Sequence, residues 1–185
     1  MEKLLKGSII IFIIFLLFVS FALVSADNNT NADANADKKV MTLSKGGITI
    51  QYPSDWVNCE STSNYSIMAI AKESSIDSAE RGQVSINVEK KPIDTDFATF
   101  VNSTYEDMKK DSSYSIVSSG ASMVGGKEGL EYVYTSDSDG VKKEHKAVWF
   151  EKGGQAYVLL YSAPVSDFES NLYVFDFILS DIQIT

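Results

Sequence analysis

The chain has 185 residues, 16 of them basic and 25 acidic, for a net charge of −9. That length can bury a real core in one domain, and the acidity argues against a nucleic-acid partner, because non-specific binding depends on Lys and Arg neutralising phosphates. A single cysteine, Cys59, excludes any intramolecular disulfide; it reads as a small buried hydrophobe, with pairing between chains as the alternative.

Residues 1–26 stand apart. Lys3 and Lys6 precede an apolar run from Ile9 to Val24, and Val24-Ser25-Ala26 offers the small residues that a signal peptidase reads. The segment is either a signal peptide cleaved after Ala26 or a retained N-terminal membrane anchor, since Gly7 to Ala26 matches the ~20 residues needed to span a bilayer. Both place the folded part outside the cytoplasm. Asp27 stands where a bacterial lipoprotein would carry its cysteine. Without residues 1–26, which hold two lysines and one glutamate, 14 basic and 24 acidic residues remain, a net charge of −10. Residues 27–39, rich in Asn, Asp and Ala and without an apolar period, read as a flexible polar spacer. The expected domain is 40–185. Asn28, Asn64 and Asn102 each open an Asn-x-Ser/Thr triplet, a weak glycosylation signal.

Within the domain, Ile48 to Tyr52 alternates as a strand and is ended by Pro53-Ser54-Asp55. Trp56 reads as a core anchor beside it. Ser66 to Ala71 and Gln83 to Glu89 are two more strands, with a charged loop between them. Asp94-Thr95-Asp96 is an N-cap cluster and Lys109-Lys110 a C-terminal one, which together complement a helix dipole. Between them Phe97, Phe100, Val101, Thr104, Tyr105 and Met108 form one apolar stripe. Tyr114 to Met123 is a strand that turns at Gly125-Gly126. The stretch from Lys127 to Ser162 then reads as three strands joined by turns at Ser136–Gly140 and Gly153-Gly154. Leu130, Tyr132 and Tyr134 alternate. Ala147 to Phe150 and Ala156 to Tyr161 are apolar on both parities, so these strands need cover on both faces. A final helix opens near Pro164 and Ser166, with a stripe of Phe168, Leu172, Phe175, Ile178 and Leu179, and runs into an extended Ile182-Gln183-Ile184. The expected fold is α+β: an antiparallel sheet with helices packed on both faces, an α-β-α sandwich.

The search for chemistry yields little. His145 is the single histidine and sits in a strand, and no Gly-x-Ser-x-Gly elbow occurs; it reads as an ordinary surface or half-buried strand residue. Gly120 to Lys127 imitates a phosphate loop but places lysine one position late and Glu128 where Ser or Thr belongs. Asp137-Ser138-Asp139-Gly140 imitates part of a calcium loop and lacks the distal glutamate. One His and one Cys exclude the familiar zinc ligand sets. No catalytic, cofactor-binding or metal residues are assigned, and no cofactor is expected.

The order of segments resembles the PsbP family: an ITIQYPSDW strand, an FATFVN helix, a VGGKEGLEYVYT strand, a KAVWFEKGGQAYVLLYSAP hairpin and a closing FESNLYVFDFILSDIQI helix, over residues 42–185. The resemblance implies an antiparallel sheet between helices and a non-enzymatic accessory role; it carries over no metal residues. The leading expectation is therefore an exported domain that docks on another envelope or membrane protein. A small-molecule or cation-binding module is the alternative, and an enzyme using dispersed carboxylates comes third. If the domain docks, Lys142, Lys143 and Lys146 form its densest basic cluster, with Lys142 and Lys146 on one side of their strand and Lys143 with His145 on the other. The other role for these lysines is to guard a strand end against aggregation.

Overall fold

The computed structural model describes residues 19–20, 39–138 and 140–185. The signal or anchor segment, the spacer, Asn28 and Asp139 of the calcium-like turn fall outside the described residues, apart from Val19, Ser20 and Lys39.

Eleven strands and two α-helices follow one another among these residues: β1 Val19–Ser20, β2 Val40–Lys45, β3 Ile48–Pro53, β4 Trp56–Ser61, β5 Ser66–Lys72, β6 Ser85–Pro92, α1 Phe97–Met108, β7 Tyr114–Val124, β8 Lys127–Ser138, β9 Val141–Lys152, β10 Gln155–Pro164, α2 Phe168–Asp181 and β11 Gln183–Ile184. They make two antiparallel sheets. The large one has the order β1-β4-β5-β6-β10-β9-β8-β7, and the small one β11-β3-β2. The three-strand stretch seen in the sequence is β8 to β10, at the heart of the large sheet. Its turns are tight: β8 runs on to Ser138, and Gly140, Gly153 and Gly154 take φ of 77°, 58° and 69°.

The strands apolar on both parities serve two cores. Val148 and Phe150 of β9, with Tyr157, Leu159 and Tyr161 of β10, join one cluster with Phe168, Val174, Phe175 and Ile178 of α2. Ala147, Trp149, Ala156 and Val158 join the other, with Val101, Tyr105 and Met108 of α1. Full burial of each such large side chain contributes about 1.5–3 kcal/mol. Helix α1 starts where the N-cap cluster lies: Asp96 Oδ1 accepts the Thr99 amide at 2.9 Å. In the cluster beneath it the Trp149 indole donates to Tyr105 Oη at 2.8 Å, and Tyr105 stacks on Tyr132 with centroids 3.6 Å apart. Helix α2 begins at Phe168, after the turn that holds Ser166. Tyr161 Oη donates to the Phe168 carbonyl at 2.7 Å and fixes that start to β10.

The expected architecture is met in its coarse form and corrected in its detail. The molecule is an assembly of antiparallel sheets with two helices, but it is dominated by sheet. The small sheet contributes Ile48, Ile50 and Tyr52 to the same cluster as α2, so that layer is not helix alone. Strands β2 and β4 were not anticipated. Met41 and Leu43 of β2 are only half-buried, a shallow alternation, and Trp56-Val57-Asn58-Cys59 of β4 has no clean apolar period.

Candidate functional site

Strand β9 carries the basic residues singled out in the sequence, and the strand's pleat separates them. Lys142 is exposed and stands across from Asp137 of β8. Lys143 is half-buried; burial lowers its pKa, and the positive charge of Arg81 adds to the effect while Asp77 opposes it. Lys146 reaches the opposite side. Its ammonium lies 3.1 Å from Asp176 of α2, 3.4 Å from Glu131 of β8, and 5.8 Å from the centre of the Phe175 ring. The three lysines therefore do not form one continuous patch, and Lys146 is already engaged by two carboxylates.

His145 lies on the α1 side of the large sheet. One ring nitrogen meets Ser136 Oγ of β8 at 2.8 Å and the other Ser162 Oγ of β10 at 2.7 Å, while the ring stacks on Tyr134 at 4.6 Å. Burial pushes its pKa down to about 3, with the Lys143 charge adding to the effect. The imidazole is thus neutral at pH 7, and a base this weak is poorly matched to proton abstraction there. Ser136 and Ser162 are both buried. The trio works as a strut that ties three strands together, in keeping with the sequence reading of His145 as a strand histidine.

A polar row on the same face was not singled out from the sequence. Ser66 Oγ donates to Asn87 Oδ1 at 2.6 Å, Asn87 Nδ2 donates to Glu89 Oε1 at 2.9 Å, and Lys91 Nζ lies 3.1 Å from Glu89 Oε2. The Lys91 ammonium also sits 5.4 Å from the Tyr65 ring centre and 5.5 Å from that of Trp149. The signal was present: Ser85, Asn87 and Glu89 alternate with Ile86 and Val88, so the polar residues occupy one side of β6. What hid their burial is that β6 lies inside the sheet, between β5 and β10. Each member of the row has a partner, so the network is satisfied internally. Cys59 is free and buried against Ala69 and Ala71, and burial pushes its thiol up to about 12. Among the described residues no three His, Cys, Asp or Glu side chains gather as a metal site.

The remaining feature is the outer face of α2. Tyr173 is 53 % exposed and Phe177 40 %. They are four positions apart, hence on one side of the helix. Asp176, held by Lys146, stands beside them. Next to Asp176 opens a shallow groove of about 240 Å³, lined by Met123, Gly125, Gly126, Leu179 and Ser180. The stripe of Phe168, Leu172, Phe175, Ile178 and Leu179 was plain in the sequence; Tyr173 and Phe177, between its members, were not singled out.

Similarity to known proteins bears on fold and family. The solution structure of cyanobacterial PsbP (CyanoP) from Synechocystis sp. PCC 6803 is similar in fold, with a TM-score of 0.59 at 14% identity, over 84% of this chain and 98% of that one. The crystal structure of LpqN, involved in cell envelope biogenesis of Mycobacterium tuberculosis, has a TM-score of 0.57 at 17% identity, over 81% of this chain and 92% of that one. No curated protein matches the sequence. The family model described as PsbP-like protein matches residues 7–181, nearly the whole chain, and the chain belongs to that family.

Proposed function

We propose that this PsbP-like chain is an exported, non-catalytic accessory domain that docks on another protein of the envelope or membrane. The observation that carries the proposal is Phe177 on the outer face of α2. A helix on a sheet needs one apolar side; Phe177, 40 % exposed on the other side, suits a partner surface. The neighbouring Lys146–Asp176 pair supplies a polar rim, and Lys142 lies further along the same strand as Lys146. The basic start, apolar run and small residues of segment 1–26 support export. The involvement of LpqN in cell envelope biogenesis agrees with such a setting.

The test is chemical cross-linking in native membranes, capture of the tagged protein, and identification of what is attached. The wild type is expected to retain a partner that Phe177→Glu loses, at an unchanged melting temperature. Substituting Lys142, Lys143 and Lys146 by Glu is expected to slow association, and added salt to weaken the wild-type complex. Retention of the same partners, in the same yield, by the folded α2 variant would sink the proposal.

A further inference from the structure

Strand β7 is the outermost strand of the large sheet, and among the described residues β8 is its one partner. Over 11 residues, Tyr-Ser-Ile-Val-Ser-Ser-Gly-Ala-Ser-Met-Val, it has no charged residue and no proline. Ser115, Met123 and the run from Val117 to Ala121 are exposed, Val117 by 58 % and Met123 by 56 %. Open edges are usually short, charged, broken by proline or covered. The other edges here follow that habit: β4 is 6 residues long, carries Glu60 and pairs with β1, and β2 ends in Lys45. The edge of β7 is about 37 Å long at strand spacing. What fits a row of unpaired backbone N–H and C=O groups is another extended chain.

We propose that β7 pairs antiparallel with β7 of a second copy, so that two large sheets join across a two-fold axis. Charge favours this strand as the place of contact. Each copy is acidic, and like charges directly opposite one another destabilise a strand pair; β7 brings none. The carboxylate beside Gly120 on β8, Glu131, is already matched by Lys146 at 3.4 Å.

Shape favours it further. The β7–β8 register shifts between Ile116 and Ser118, leaving Val117 as an extra residue. Tyr114 and Ile116 face Ser136 and Tyr134, whereas Ser119 and Ala121 face Tyr132 and Leu130. All four of those β8 residues lie on one side, so Tyr114, Ile116, Ser119, Ala121 and Met123 share a face despite the odd spacing. A two-fold axis perpendicular to the sheet keeps each face where it is, so only residues of the same face can oppose one another. An axis at Ser119 meets that condition along the strand. Ser119 opposes itself, Gly120 meets the Val117–Ser118 bulge, Ala121 meets Ile116, Ser122 meets Ser115, and Met123 meets Tyr114. Val117 meets Gly120 and Ile116 meets Ala121, large against small, serine meets serine elsewhere, and at the ends a thioether meets an aromatic ring.

Gly120 is the second observation. A glycine inside a strand weakens it, and among the described residues no atom lies within 4 Å of a Cβ built at this one. In the paired register the missing side chain is the space that the partner's bulge occupies. Apart from Met123, which also lines the groove beside Asp176, this contact is separate from the α2 face, and either can fail without the other.

The test uses the purified full-length protein in sedimentation velocity across micromolar to millimolar concentrations. The wild type is expected to reach twice the monomer mass, and Val117→Lys and Gly120→Lys to halve that mass while keeping the wild-type circular dichroism. Ser119→Cys, on the axis, is expected to give a disulfide-linked dimer under mild oxidation; Ser115→Cys, off the axis, stays unlinked, as does the wild type with its buried Cys59. A wild type that remains monomeric throughout overturns the proposal. So does a dimer indifferent to both lysine variants, or a Ser119→Cys chain that links no faster than Ser115→Cys.

Discussion

At the scale of single residues, His145 is the most consequential polar side chain, and its protonation gives a pH dependence with a definite sign. Its pKa falls from the usual 6.5 to about 3 on folding. Between those values the unfolded chain binds the proton and the folded chain does not, so stability rises with pH across the window and is complete above 6.5. Lowering the pH from about 6.5 to about 5 is expected to remove roughly 2 kcal/mol, at ~1.36 kcal/mol per unit. Urea titrations of the wild type and His145→Gln check this: the variant is less stable at pH 7 but has a flatter slope between pH 5 and 6.5. Equal slopes would mean that the ring takes up a proton in the folded state. The sequence disclosed that His145 sits on a strand. It did not disclose Ser136 and Ser162 as partners, because they are 9 and 17 positions away and meet it only through the register of three strands. The scattering of Lys142, Lys143 and Lys146 was half legible: alternation placed them on two sides, but Asp176 as the partner of Lys146 depends on where α2 lies.

At the scale of elements, the turn between β7 and β8 is where sheet and helix are fastened together. Gly125 has φ +53°, its N–H donates to the Leu179 carbonyl at 3.0 Å, and a Cβ there would stand 2.7 Å from the Ile182 carbonyl oxygen. Gly126, with φ +75°, faces open space. Both alanine variants carry the left-handed penalty of about 1–2 kcal/mol. Gly125→Ala is expected to add about 1–3 kcal/mol from the forced displacement of the end of α2. Denaturant midpoints compare the pair, and equal losses would show that turn and helix end are not in firm contact. The Gly-Gly turn was plain in the sequence because its flanking strands alternate; its attachment to α2 was not. The helices were legible from their stripes, and α1 also from Asp96. Strands β2 and β4 were missed for want of a clean alternation: Met41 and Leu43 of β2 are only half-buried, and in β4 the buried Trp56 and Cys59 stand three positions apart.

At the scale of the molecule, the residues apolar on both parities of β9 and β10 foretold two cores, and two cores exist. The way in which one core is closed was not foretold. A sheet of three strands shares that side with α2, and its outer member β11 is two residues long. Nothing in Gln183-Ile184 by itself distinguishes a strand from a tail; it becomes one because Ile48 and Thr49 lie beside it.

The pairing of β11 with β3 has a consequence in time. Thr185 and Gly47 stand 138 positions apart and meet through a hydrogen bond, and β6 waits for β10 across the whole of α1 and the β7–β9 meander. A chain made from its N-terminus delivers β2 and β3 well before the strand that completes their sheet. Until β11 follows, the small sheet holds an incomplete edge. Such distant pairings make for slow folding, in milliseconds to seconds. Stopped-flow refolding from urea is expected to fall in that range; completion within microseconds would mean that the ends of the chain do not need to find each other.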